Sequence, residues 1–376
     1  MKKFKFPAFD ISLKGNEKKY VMSCIKSSNI TQGYYVNLFE KKFSKFINSK
    51  YGISTTSGTT ALHLACKVLG LKSGDEVLVS SSTNMASAFA IDYCGAIPIP
   101  VDVNKENWQM DVSQLKKKIN DKTKAIMVVH LFGHPVDMDP VTKIARKYNL
   151  KIIEDCAEAP GVEYKKKKVG TFGDVSAFSF YANKTITTGE GGMLITNSKQ
   201  LAEKARSLKN LGYGKIDKFL HEDIGFNYRL PNISAAIGLA QLENINQIFK
   251  NKKRIYARYT KNLSGINGLN IPKIETWATK YIMWVYNVYL DHNFPLSRNQ
   301  LLDRLKIYGI ETRNAFTPVN QQKVFLNKNK SLKKSDCPNA NFIMKNGFYL
   351  PSGNNLKNSQ IDFICEKIKK FGKSKY

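Results

Sequence analysis

Through the first half of the chain, short β-branched apolar runs alternate with stretches whose apolar residues recur every three or four positions. Residues 51–54, 76–79, 97–101, 125–129, 151–153, 175–180 and 193–196 read as strands. Residues 60–69, 85–93, 112–119 and 140–148 read as amphipathic helices between them. Strands separated by single helices predict βαβ units with right-handed crossovers, and so a mostly parallel sheet between helices. After about Asn197 the alternation fades. A helical region follows over 233–263 with a pause near Ile248, then a strand at 281–290 and a helix at 301–308. An Asn- and Lys-rich loop spans 320–341, and a last helix covers 359–371. The pattern predicts a large α/β domain over 1–248 and a smaller α+β domain over 249–376.

Length and composition agree with this division. A chain of 376 residues accommodates a large and a smaller domain, and 42% hydrophobic with 24% charged residues is ordinary for a folded protein. No apolar run approaches the ~20 residues of a membrane-spanning helix. The opening MKKFKFPAFDISLKG has lysines but no apolar stretch behind them, so no secretory leader is expected.

The formal charge of +29 invites a nucleic-acid reading. Its make-up argues otherwise. Of 59 cations only eight are arginine, the residue whose fork reads base edges. The lysines spread from Lys2 to Lys375, and the densest cluster, Lys165 to Lys168, falls in a predicted hairpin turn. The expectation is a solvated lysine-rich surface that at most steers anionic substrates, with neither nucleic acid nor membrane as partner. The six cysteines form no CxxC pair and no zinc spacing, so no metal is expected. Cys66 and Cys94 fall in helical stretches, and a reduced cytoplasmic setting follows.

Three segments fall at strand ends, where open α/β sheets bind ligands. The first, Thr55-Thr56-Ser57-Gly58-Thr59-Thr60, is a hydroxyl-rich turn that opens a helix. It reads as an anion cradle or as a simple N-cap, and it lacks the lysine of a nucleotide-binding P-loop. The second, Ile152-Ile153-Glu154-Asp155-Cys156-Ala157-Glu158, ends an apolar strand in a carboxylate. Asp155 suits a cation, a metal, a protonated ring nitrogen or a helix start, and Glu154 must point to the opposite face of the strand. The third, 178–193, delivers Lys184 from an aromatic strand into a polar turn followed by a glycine-rich segment. A lysine held in such a cleft is a candidate nucleophilic amine. Together the three offer a phosphate cradle, a strand-end acid and an amine, the set that pyridoxal 5′-phosphate (PLP) requires.

The chain resembles the DegT-type sugar aminotransferases, a branch of the fold type I PLP enzymes. The likeness runs from about residue 15 to the C-terminus. It is carried by SGTTALHLA (57–65), GDEVLV (74–79), HLFGHPVDMDP (130–140), IIEDCAEA (152–159), VGTFGDVSAFSFYANKTITTGEGGM (169–193) and GFNYRLPNISAAIGLAQLE (225–243). The resemblance implies a seven-stranded, mostly parallel sheet in the large domain. It implies Lys184 as the Schiff-base lysine, Asp155 opposite the pyridinium nitrogen, and Glu158 near the phenolic oxygen. Gly58, Thr59, Thr60 and Ser179 take the phosphate positions. Asn227 takes a phosphate position reached from a neighbouring subunit, which implies a homodimer with shared active sites. Arg313 and Asn320 lie in the segment that binds the sugar substrate.

Two positions depart from the family pattern. Asn84 stands where relatives place an aromatic ring against the cofactor, and Asn320 where many place a histidine. The implied reaction moves an amino group from an amino acid, glutamate in relatives, to a keto-sugar. The stretches 130–140 and 181–193 look most like the branch that aminates GDP-4-keto-6-deoxymannose in surface-polysaccharide synthesis. UDP- or dTDP-linked keto-sugars and an oxidised eight-carbon sugar acid are the alternative substrates. Related sugar dehydratases carry histidine at the lysine position, and Lys184 argues against that reaction. A non-catalytic regulatory protein of the same fold is the rival of a different class.

Overall fold

The computed structural model describes residues 4–214, 217, 219–221, 223–329 and 332–373. Helices α1 (Glu17–Lys26) and α2 (Tyr34–Ile47) precede the first strand. Then β1 (Tyr51–Thr55), α3 (Gly58–Val68), β2 (Glu76–Ser80), α4 (Ala86–Asp92) and β3 (Ile97–Val101) follow in order. They lead through α5 (Leu115–Lys118) to β4 (Thr123–Val129), α6 (Met138–Lys147) and β5 (Lys151–Asp155). A small hairpin, β6 (Glu163–Tyr164) and β7 (Lys167–Lys168), carries the lysine cluster at its turn. Strands β8 (Val175–Ser179) and β9 (Gly192–Thr196) and helix α7 (Lys199–Lys209) complete the alternating half.

The main sheet has seven strands in the order β1-β9-β8-β5-β4-β2-β3. Only β9 runs against its neighbours, so the sheet is mostly parallel, as the alternation predicts. Both faces are covered. On β4, Ile126 and Val128 join one apolar cluster and Ala125 and Met127 the other. This period of two is what a strand buried on both sides requires.

Helices α8 (Asn232–Glu243) and α9 (Ile245–Leu263) make up the long helical region. The break lies at Asn244 rather than near Ile248, which is buried inside α9. The second sheet, β10-β11-β13-β12, is antiparallel: β10 (Leu269–Asn270), β11 (Tyr286–Leu290), β12 (Arg313–Asn314) and β13 (Gly347–Leu350). Helices α10 (Arg298–Ile307), α11 (Lys323–Lys328), α12 (Pro338–Asn346) and α13 (Asn358–Lys373) belong to this half. The segment expected as a loop over 320–341 thus contains α11 and the start of α12. Their Asn and Lys residues mask a sparse apolar face of Phe325, Ala340 and Ile343.

Helix α9 joins the two halves. Its Ile248 and Phe249 pack in the cluster under the main sheet, and its Ile255, Tyr259 and Leu263 in the cluster around the second sheet. Phe6 also packs in the latter, so the N-terminal strap crosses to the C-terminal half.

Candidate active site

Register brings the candidate residues together. Val129 pairs with Asp155 and Asp155 with Ala177, so the carboxyl ends of β4, β5 and β8 lie side by side. Beside them α3 begins at Gly58, after Thr55 at the end of β1. A cavity of about 160 Å³ opens there, lined among others by Gly58, Thr59, Asp155, Glu158, Ser179 and Lys184. That is about the space one six-membered ring fills.

At one end lies the start of α3. Ser57 caps it by accepting from the Thr60 N–H, and the Thr60 hydroxyl accepts from the Ser57 N–H in return. Thr60 is thereby committed to the cap and does not line the cavity. Among the described residues, the Gly58 and Thr59 N–H groups have no acceptor. Paired with the Ser179 hydroxyl, these N–H groups form a cradle for an anion. A Cβ on Gly58 would stand 2.7 Å from Ser179 Cβ, so only glycine lets the turn approach the strand end this closely.

Asp155 is buried, 4% exposed. Its Oδ2 accepts from the Ser87 hydroxyl at 2.7 Å and its Oδ1 from the Ala157 N–H at 3.0 Å. Glu154 points away, as alternation along β5 demands. It accepts from the N–H groups of Gly170, Phe172 and Gly173, each at 2.7 Å, and meets His130 Nε2 at 3.1 Å. Burial acts to raise the Glu154 carboxyl, but His130 and these N–H groups outweigh it and the pKa is lowered. His130, Glu154 and Cys156 have the separation of metal ligands. However, His130 Nδ1 accepts from Val136 N–H and the Glu154 oxygens are taken by N–H groups, which suits a structural knot.

The lysine amine sits between an acid and a ring. Lys184 Nζ lies 3.3 Å from Glu158 Oε1 and 4.1 Å from the centre of the Trp284 ring. Burial pushes the Glu158 carboxyl up, against the pull of Lys184 and of the Phe132 N–H, which donates to Glu158 Oε2 at 2.8 Å. Trp284 Nε1 donates to the Asn183 carbonyl at 2.8 Å and so pins the turn next to the lysine.

A second, wider cavity of about 690 Å³ adjoins the first and shares Asn84, Tyr181 and Lys184 with it. Arg313 lines it and pairs with Glu311 at 2.5 Å. Asn84 is exposed at the junction, with its Oδ1 accepting from the Ala86 N–H. Asn320 lies elsewhere. It is fully buried, accepts from the Ser81 hydroxyl at 2.9 Å, and donates to Lys334 O and Asn341 Oδ1. It lines neither cavity, and its polar atoms fasten the segment after Pro318 to the end of β2. Asn227 is exposed and also lines neither; its Oδ1 accepts from Arg229 Nε.

Sequence reading passed over Ser87, Phe132 and Trp284. Ser87 and Trp284 act from elements distant in sequence, and Phe132 acts through its backbone, so none carries a local pattern. The run HLFGHPVDMDP was the available signal. His130 steadies Glu154, Phe132 steadies Glu158, and His134 Nε2 accepts from the Glu275 N–H.

The donor set fits PLP: Gly58, Thr59 and Ser179 would take its phosphate, Asp155 its ring nitrogen, Glu158 its phenolic side and Lys184 its aldehyde. A sheet of this topology with that set at its carboxyl edge defines a fold type I PLP-dependent enzyme. Residues 12–369 match the DegT/DnrJ/EryC1/StrS aminotransferase family, and the chain belongs to it. It is a PLP-dependent aminotransferase. It is 43% identical over 366 residues to the GDP-perosamine synthase of Escherichia coli O157:H7, covering 97% of this chain and 98% of that one. The S. venezuelae DesV crystal structure superposes with a TM-score of 0.91 at 28% identity, covering 98% and 99% of the two chains. The PLP form of the putative sugar aminotransferase Spr1654 from Streptococcus pneumoniae gives 0.90 at 25% identity, with 98% of each chain covered.

Proposed function

We propose that this protein transfers an amino group from an amino acid, glutamate in our reading, to the carbonyl of GDP-4-keto-6-deoxymannose, giving GDP-perosamine for surface polysaccharide. The observation that carries the chemistry is the buried Lys184 amine between Glu158 and Trp284, within the cavity that Asp155 and the α3 turn line. What supports the sugar is the 43% identity to a GDP-perosamine synthase along nearly all of both chains. PLP supplies an aldehyde that carries the amino group and a ring that takes up electron density.

The protein's own groups do the rest. Lys184 would hold the aldehyde of the bound cofactor at rest; once displaced by the donor, its amine would serve as the base that takes the proton from the donor carbon and the acid that delivers it across the connecting nitrogen. Asp155, fixed by Ser87 and Ala157, would hold the ring nitrogen protonated. Glu158 keeps the Lys184 amine in place between turns. The wider cavity, with Arg313 on its wall, takes the sugar nucleotide. In our reading Asn84, set between the cavities, offers its amide where relatives offer a ring.

We further infer a homodimer in the cytoplasm, with the domains dividing within α9 near residue 248. Asn227 is exposed, and Phe219, Leu220 and Ile224 in the segment before it are 76%, 67% and 88% exposed, apolar side chains suited to contact with a second copy. In it Asn227 would reach the partner's phosphate site. All six cysteines are free. No helix among the described residues is long and apolar enough to cross a membrane.

The test offers the PLP-loaded enzyme and glutamate a panel of GDP-, UDP- and dTDP-linked keto-sugars and an oxidised eight-carbon sugar acid. Amino transfer to the GDP sugar with release of 2-oxoglutarate is expected. Turnover on another member alone would overturn the substrate assignment. Light scattering should give twice the 42.5 kDa chain mass; a monomer would refute the shared site.

A further inference from the structure

The apolar face of α9 contains one residue that does not belong there by pattern. Ile245, Ile248, Phe249, Ile255, Tyr259 and Leu263 are buried at helical spacing, and Lys252 is buried among them, 4% exposed. Among the described residues no carboxylate lies within 4.0 Å of its amine. Burial drives the Lys252 pKa down to about 8, with Asp10 as the opposing charge. A cation in such a place is unfavourable unless its donors are used.

They are used on two backbones. Lys252 Nζ donates to the Trp284 carbonyl at 2.8 Å and to the Ser352 carbonyl at 2.7 Å. Ser352 in turn accepts through its hydroxyl from the Tyr286 N–H at 2.9 Å. Trp284 is also held from the large domain, where its N–H donates to the Phe132 carbonyl at 3.2 Å. Gly133, at φ +87°, makes room for this crossing: a Cβ there would meet Ile282 O at 2.0 Å. Phe132 therefore bonds Glu158 through its backbone N–H and Trp284 through its carbonyl. These are the two groups that flank the Lys184 amine.

We propose that Lys252 is a positioning residue for Lys184, acting through Trp284: it clamps the Trp284 backbone from below while the indole holds the amine and the Asn183 turn from above. The proposal rests on the reading of Lys184 as the residue that carries the cofactor. Lys252 touches no reacting atom. Its charge strengthens two hydrogen bonds to carbonyls that an apolar residue would leave unpaired. The link spans from α9, where the halves of the molecule join, to the lysine turn.

The test uses Lys252→Met, which keeps the length of the side chain, and reads two things. In protein freed of cofactor, amide exchange should speed up over residues 181–188 as well as around Trp284, but not in β4. In the loaded enzyme kcat should fall about tenfold with KM little changed. A stabilising role confined to α9 would not reach the lysine turn. Exchange over 181–188 equal to wild type overturns the proposal, whatever the activity does. Should Lys252→Met fail to fold, Trp284→Phe carries the test, because it removes the Nε1 bond to Asn183 and keeps a ring. The same acceleration over 181–188 is expected, and its absence overturns the proposal. The exchange experiment contains no cofactor, so it fails or succeeds independently of where the cofactor attaches.

Discussion

At the scale of single residues, the site depends on groups that orient the reacting ones. Asp155 has two donors fixing it, and the Ser87 hydroxyl at 2.7 Å is the shorter. Ser87→Ala should leave Asp155 rotationally freer and remove about 1–2 kcal/mol of hydrogen bonding. We expect kcat/KM to fall about 5–30-fold with the fold intact, read from steady-state kinetics and circular dichroism. An unchanged kcat/KM would remove Ser87 from the site. Residue type and position marked Lys184 and Asp155 as candidates in the sequence, because each ends a strand or follows one, and the family resemblance added Glu158 and Ser179; all four line one cavity. Sequence alone could not separate Gly58 and Thr59, whose N–H groups stay free, from Thr60, whose hydroxyl closes the cap. Nor could it show that Asn320 is consumed by Ser81, Lys334 and Asn341. Those distinctions depend on where a side chain turns, which tertiary contacts decide.

At the scale of elements, the start of α3 has two functions. Its capping box satisfies the Ser57 and Thr60 N–H groups and leaves the next donors directed at the cavity. Thr60→Ala should lower stability by about 1 kcal/mol through loss of the hydroxyl that accepts from the Ser57 N–H, measured by urea unfolding. PLP affinity should fall less than in Gly58→Ala, where the added Cβ meets Ser179. The reverse order would mean that Thr60 itself is the phosphate ligand. The strands of the main sheet were legible as short β-branched apolar runs alternating with helical patterns. The second half was less so: α11 and α12 are short, their apolar faces hold few residues, and Asn and Lys surround them. The break at Asn244 was misplaced because Ile248 looks like an interruption only until α9 is seen to bury it.

At the scale of the whole molecule, acid should loosen the seam between the two halves. His134 is buried where Glu275 N–H reaches its Nε2, and burial lowers its pKa to about 4. Between pH 4 and the ordinary histidine value near 6.5, the unfolded chain binds a proton there that the folded chain does not. Stability contributed by neutral His134 is therefore complete above about pH 6.5 and is lost as pH falls toward 4, by about 3 kcal/mol. Denaturation midpoints measured from pH 7 to 4 should decline in wild type and flatten in His134→Gln. Equal slopes in both would assign the acid sensitivity to other groups. Net charge, the most conspicuous property of the sequence, bears on none of this. The cation that matters is the one folded against Glu158 and Trp284.

That claim has a direct measurement. Reduction of the PLP-loaded protein with borohydride fixes the cofactor to the amine that carries it, and peptide mapping then locates the mass. A single labelled site at Lys184 is expected, with neither label nor visible cofactor absorbance in Lys184→Ala. Label on any other lysine, or a Lys184→Ala protein that keeps colour and turnover, would contradict it.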